Sequence, residues 1–242
     1  MANEAVLIIF YVAILIYSII IHEVMHGLTA LRLGDSTAKY SGRLTLNPLS
    51  HIELWGSVFV PLFMLILTNF SFAFGWAKPV PYNPYNLNNQ KWGPAIVALG
   101  GPLSNILLAT AAALLAKFLP IMTSVKIDIL GRFFEVLGGG GDFMQRWNSL
   151  ATAIAGSMEN IFFVLLIMAI FWNVVLAFFN LIPFPPLDGS KLLFAILPVK
   201  TETMIMLEQY GFVLLLLFVF IFSPQLNYFL SMVLNVFFSL VL

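Results

Sequence analysis

"SIIIHEVMHGL", residues 18–28, closes a long apolar run with two histidines and a glutamate. The chain has only three histidines, and two of them stand four residues apart around this carboxylate. Upstream, from Ala5, the sequence carries no charge until this cluster. A helix from Ala5 to His26 would be about 22 residues long and roughly 33 Å in extent, enough to cross a bilayer. On such a helix, positions i and i+4 share a face. His22 and His26 therefore project together, with Glu23 one step round. Ionisable side chains within a membrane helix are costly and mark function.

Composition supports a membrane setting. The 242 residues are 61% hydrophobic and 9% charged, and mean hydropathy is +0.98; a soluble domain carries about 25% charged residues. We expect an all-α polytopic membrane protein forming a single domain over residues 1–242. Its catalytic core would span about residues 5–190, with C-terminal helices over 203–242 and about five to six spans in total. The formal net charge of +0 offers nothing to a polyanion, so no nucleic-acid partner is expected. The absence of cysteine excludes disulfides, thiol catalysis and cysteine-bound zinc. The first apolar stretch follows "MANEAV", without a basic n-region or a small-residue cleavage site, so it is expected to be retained.

Further apolar stretches run over residues 55–75, 94–118, 154–182, 203–222 and 226–242. "TAKYSGRLTLNP", residues 37–48, mixes Thr, Tyr and Leu around Gly42 and predicts a small membrane-associated β-hairpin near residues 39–46. "WAKPVPYNPYNLNNQKWGP", residues 76–94, is a Pro/Asn-rich loop bounded by interfacial tryptophans. Residues 119–148 read as an amphipathic connection containing a flexible Gly138–Gly141 tract.

The chemistry starts from HExxH. Two imidazoles on one helix face with a carboxylate beside them is the zinc-peptidase arrangement, the glutamate serving as general base. A catalytic zinc takes three protein ligands and keeps one position open, so a third ligand must come from elsewhere. Asp188, in "FNLIPFPPLDGSK", is the leading candidate. Three prolines break the helix before it, and broken backbone at membrane depth is tolerated only inside protein or along a wet cavity. His51, in "NPLSH", is an alternative imidazole. Glu4 lies at the wrong end of its helix, and Glu159 lies a full span before the break.

Three stretches then resemble one family in its own order: "HEVMH" at 22–26, "GGPLSN" at 100–105 and "NLIPFPPLDG" at 180–189. The chain resembles the site-2 proteases, intramembrane zinc metalloproteases of peptidase family M50. "LNPLSH" at 46–51 and "FGWAKPVP" at 74–81 resemble the small prokaryotic branch without a PDZ domain. The resemblance implies one Zn2+ per chain held by His22, His26 and Asp188, with Glu23 as base. It implies hydrolysis of peptide bonds within or near transmembrane segments of other membrane proteins. Asn105, Asn180 and His51 are candidates for oxyanion stabilisation or substrate binding.

Topology and orientation complete the expectation. If the zinc is shared, the segments carrying HExxH and Asp188 must bring their C-terminal ends to one depth, so they run parallel with an odd number of crossings between them. That favours residues 55–92 entering and returning on one side, as an irregular segment near the site. Arg32, Lys39, Arg43, Lys78, Lys91, Lys191 and Lys200 would then lie on the site's side, against Lys117, Lys126, Arg132 and Arg146. This bias points the site towards the cytoplasmic face of a prokaryotic inner membrane. Two other readings compete: a membrane metal-ion transporter, which needs polar groups along several spans, and a protease-like scaffold that binds without cutting.

Overall fold

A computed structural model describes residues 2–67, 75–138, 142–197 and 199–242. The described residues form helices α1 (Ala2–Arg32), α2 (Thr37–Tyr40), α3 (Val60–Leu67), α4 (Gly93–Lys117) and α5 (Thr123–Leu137), followed by α6 (Phe143–Ile154), α7 (Met158–Leu181), α8 (Gly189–Ile196) and α9 (Thr201–Ser239). There is no β-strand among them. Four stretches are long and apolar enough to cross a membrane: Glu4–Arg32, Gly93–Lys117, Met158–Leu181 and Gln209–Ser239.

The centre is the α1–α4–α7 trio. Ser18 and His22 of α1 meet Asn105 of α4, whereas Met25 and Thr29 of α1 lie against Gly100. Advancing along α1 therefore means retreating along α4, and the two are antiparallel. Asn173 of α7 meets Ser18, and Asp188, beyond the end of α7, meets His22; α1 and α7 run parallel. Among the described residues between them, one stretch, α4, is long and apolar enough to cross a membrane.

The amphipathic connection becomes two helices. α5 buries Ile129, Leu130, Phe133 and Val136, and α6 buries Trp147, Leu150, Ala151 and Ile154, each set at helical spacing. Buried Lys126 of α5 donates to Ala116 O, Lys117 O and Val241 O at 2.9–3.2 Å. Its ammonium thus satisfies carbonyls at the C-terminal end of α4, groups that a helix cannot pair internally, and one just past the end of α9. Residues 139–141 of the glycine tract lie outside the described residues.

One expectation is corrected. The hairpin near 39–46 is absent: Thr37–Tyr40 is helical, and the chain then turns at Gly42, where φ is +64°. The segment is tied down in a different way. Buried Arg43 donates from its guanidinium to Lys78 O at 2.6 Å and Pro79 O at 3.3 Å, which fastens the segment through one side chain instead of a ladder. The expected count of five to six spans is not confirmed, four such stretches lying among the described residues. The two C-terminal stretches form one helix of 39 residues with Pro224 inside it. A proline removes a single N–H bond and can bend a helix without ending it. The apolar helical stretch Leu54–Leu67 would cover only about 21 Å, short of the ~30 Å hydrocarbon core; residues 68–74 of the apolar stretch 55–75 lie outside the described residues. The chain returns beside its starting point, with Trp76 N–H donating to Gly56 O at 3.0 Å and Ser57 Oγ donating to Trp76 O at 2.9 Å.

The loop after α3 is pinned to the end of α1 by Asp35. Its carboxylate accepts from Thr37 N and Oγ1, Asn83 N and Asn86 Nδ2 at 2.6–3.1 Å. Burial alone would push the Asp35 carboxyl up, but these hydrogen bonds outweigh it and hold it below the usual aspartate range. The charged form is therefore favoured by folding, and its stabilisation is present above the unfolded value near pH 4 and is lost as pH falls through the lower folded value. Asp35→Asn is expected to cost about 1–3 kcal/mol at neutral pH. Melting curves in detergent against pH would check it: the gap from wild type should shrink below about pH 4.

Candidate metal centre

The site forms where α1, α4 and the break after α7 converge. His26 Nε2 lies 3.0 Å from His22 Nε2. Asp188 Oδ2 lies 3.1 Å from His22 Nε2 and 3.3 Å from His26 Nε2. These three side chains are the one group of three or more His, Cys, Asp or Glu among the described residues arranged to hold a metal ion.

Each approach has a local cause. α4 can reach the histidines because position 101 has no side chain: a Cβ there would sit 2.5 Å from His26 Nε2 and 2.6 Å from His22 Nε2. Gly100 does the same beside Thr29 and Met25. Asp188 is brought in by the proline-broken turn, which folds back on the end of α7. A Cβ at Gly189 would run into the Leu181 and Ile182 carbonyls. α9 covers this turn, with Gly211 against the Pro185–Pro186 backbone and Phe218 stacked on Phe184 at 4.7 Å.

The ring protons follow from the partners. His26 Nδ1 lies 2.8 Å from Val97 O. A carbonyl can only accept, so Nδ1 carries the proton and Nε2 keeps its lone pair. His22 Nδ1 lies 2.6 Å from Asn105 Oδ1. Asn105 Nδ2 is engaged by Ser18 O at 3.3 Å, which leaves the amide oxygen for the imidazole. For neutral rings, two bare nitrogens and a carboxylate oxygen thus face one point with no proton among them. Such a set is repulsive on its own and attractive around a cation. Two imidazole nitrogens and one carboxylate oxygen also match the three-ligand sets of catalytic zinc.

Glu23 is held from outside the helix. Its Oε2 accepts from Val80 N–H at 2.9 Å. Val80 belongs to an irregular stretch that is anchored just before it: Lys78 N–H donates to His51 O at 2.9 Å, and Arg43 holds the Lys78 and Pro79 carbonyls. A cavity of about 260 Å³ opens here, lined by His22, Glu23, His26, Val80, Asn180 and Asp188 among others.

The remaining sequence candidates separate. Asn180 lines the cavity, with Nδ2 donating to Leu176 O at 3.0 Å. Asn105 is fully buried behind His22. His51 is buried away from the cavity lining. Its Nε2 donates to Thr45 O at 2.8 Å, and its backbone supports the Val80 stretch. Sequence reasoning missed the Val80 N–H, which no side-chain pattern announces. It also missed Asn173, whose signal was available as an amide within residues 161–179, a run of α7 that is otherwise apolar.

A chain with this membrane-embedded donor set has the form of a metallopeptidase, and comparison with known proteins gives the family. The family model "Peptidase family M50" matches residues 10–222. The chain is 32% identical over 225 residues to "Putative zinc metalloprotease YwhC" of Bacillus subtilis, covering 90% of this chain and 86% of that protein. It is 34% identical over 92 residues to "Putative zinc metalloprotease Rip2" of Mycolicibacterium smegmatis, covering 38% of this chain and 34% of that one. No solved structure matches. The chain belongs to peptidase family M50, and it is an intramembrane metalloprotease.

Proposed function

We propose that His22, His26 and Asp188 hold one zinc ion per chain and that Glu23 is the general base of peptide-bond hydrolysis. The observation that carries this reading is the convergence of three electron-pair donors, within 3.3 Å of one another, beside a fixed carboxylate. When bound, zinc acidifies water and polarises the scissile carbonyl. Glu23 accepts the proton from the attacking water oxygen and returns it to the leaving amide nitrogen. The Val80 N–H fixes one carboxylate oxygen and leaves Oε1 for the proton. Asn180 Nδ2 is the candidate donor to the developing oxyanion, since it lies on the cavity wall.

The substrates are transmembrane proteins in the same bilayer. A helical segment hides its carbonyls in its own hydrogen bonds and must unwind to be cut. Residues 55–92 are read as entering and returning on one side, a reading supported by the Trp76–Gly56 hydrogen bond, with the anchored 76–82 stretch as one wall of the cleft; residues 68–74 lie outside the described residues. The bias of seven cations on the site's side against four on the other supports a site facing the cytoplasm of a prokaryotic inner membrane. The whole chain, residues 1–242, acts as one domain.

The test is purified protein in detergent, offered single-span substrates with and without zinc. Wild type should bind one zinc per chain and cut, lose cutting to a chelator and regain it with zinc. Asp188→Ala should elute as wild type does, retain far less than one zinc per chain, and cut no faster than the metal-free protein. Zinc-independent cleavage would refute the assignment. Metal flux into liposomes by a wild type that cuts nothing would replace it with a transporter.

A further inference from the structure

Asn173 has no part in the chemistry above, yet it is buried at 3% exposure in the middle of α7, within a span whose other buried side chains are all apolar. Its amide is used at both ends. Nδ2 donates to Ala169 O and to Ser18 Oγ, each at 2.9 Å, and Oδ1 accepts from Asn105 Nδ2 at 2.7 Å. Ser18 Oγ in turn donates to Ile14 O at 2.8 Å.

Backbone carbonyls fix the sense of this chain of bonds. Ala169 O can only accept, so the nitrogen of Asn173 faces it and the oxygen faces Asn105. Asn105 must then present its nitrogen to Asn173 and Ser18 O, and its oxygen to His22. His22 has no choice but to donate from Nδ1, which leaves Nε2 bare. The two metal-facing imidazoles are thus oriented differently. His26 is set by a backbone carbonyl that cannot rotate. His22 is set by a side-chain amide that can turn over, and two acceptors oppose that turn: Ser18 O at 3.3 Å and, closer, Asn173 Oδ1 at 2.7 Å.

We propose that Asn173, with Ser18, is a positioning residue for the metal centre: it locks the Asn105 amide so that His22 offers Nε2 to the ion. This rests on the reading of His22 as a metal ligand. The competing account of a buried amide in a membrane bundle is glue between helices, which affects stability alone.

The experiment is zinc affinity, by competition with a chromophoric chelator, on the monodisperse full chain in detergent, together with the visible spectrum of the cobalt(II) form. Asn173→Leu should weaken zinc binding about 10- to 100-fold, the range for partners behind a ligating histidine, and should alter the cobalt bands. Asn105→Leu should do at least as much. If Asn173→Leu melts lower but binds zinc within threefold of wild type with an unchanged cobalt spectrum, the amide is glue and the proposal is wrong. Should the leucine variant aggregate, Asn173→Ser, too short to bridge to α4, carries the same expectation and the same refutation. A wild type that binds no zinc, or a His22→Ala variant that binds as tightly as wild type, would instead remove the metal site on which the inference stands.

Discussion

Glu23→Gln is expected to lower the rate of cleavage about 100- to 10,000-fold, the usual contribution of a positioned general base, while the protein still binds one zinc per chain. The geometry explains why these two readouts should part. Glutamine keeps a carbonyl oxygen that can accept from the Val80 N–H, so the side chain stays where it is. It is nearly isosteric, and it lies outside the group of His22, His26 and Asp188. What it loses is the capacity to take a proton. Single-turnover cleavage of a defined single-span substrate, with metal content measured on the same sample, checks both halves. A variant that cuts at near wild-type rate would show that Glu23 is not the base; one that loses zinc would show that the carboxylate belongs to the metal-binding set.

The second large effect comes from one methyl group. Gly101→Ala should weaken zinc binding by about 10- to 100-fold, since forcing extra volume into a packed interior costs roughly 1–3 kcal/mol, and here the strain falls on the ligands. The new Cβ would lie 2.5–2.6 Å from ring atoms of both His22 and His26, so either α4 retreats or the imidazoles turn away. Helix propensity pushes in the opposite direction, because alanine in a helix interior is favoured over glycine by up to about 1 kcal/mol. Gly131→Ala in α5 is the control: nothing lies within 4 Å of a Cβ there, so it should be neutral or mildly stabilising and leave zinc binding alone. Equal zinc affinities for the two variants would mean that α4 does not buttress the histidines.

How much of this could be read from residues alone depended on whether the signal was local. HExxH is local: one helix, one face, two rings. Asp188 was reachable because its surroundings are peculiar, with three prolines and a glycine where the membrane tolerates irregular backbone only around a cavity. The parallel relation of α1 and α7 followed from requiring the two to meet. What escaped was everything set by contact between distant segments. Arg43 looked like a residue in a hairpin because its role, holding two carbonyls 35 and 36 positions later, leaves no trace in its own neighbourhood. The stretches 203–222 and 226–242 were read apart because a polar break with a proline is a local signal, while the burial of Leu234 and Phe238 of α9 in the main core depends on distant segments. Asn105 could be seen as a polar group at depth, but whether it served a substrate or a histidine depended on which side chain stood across from it.

The wide spacing of the donors along the chain also matters for biosynthesis. His22 and Asp188 are 166 positions apart, so a ribosome threading this polypeptide into the bilayer releases both imidazoles early and the carboxylate only near the end. On the proposed ligand set, the nascent protein has at most two of its three metal-gripping groups throughout that interval. A hydrolase that needs all three would stay inert among other newly inserted helices until nearly all of its own framework has been laid down.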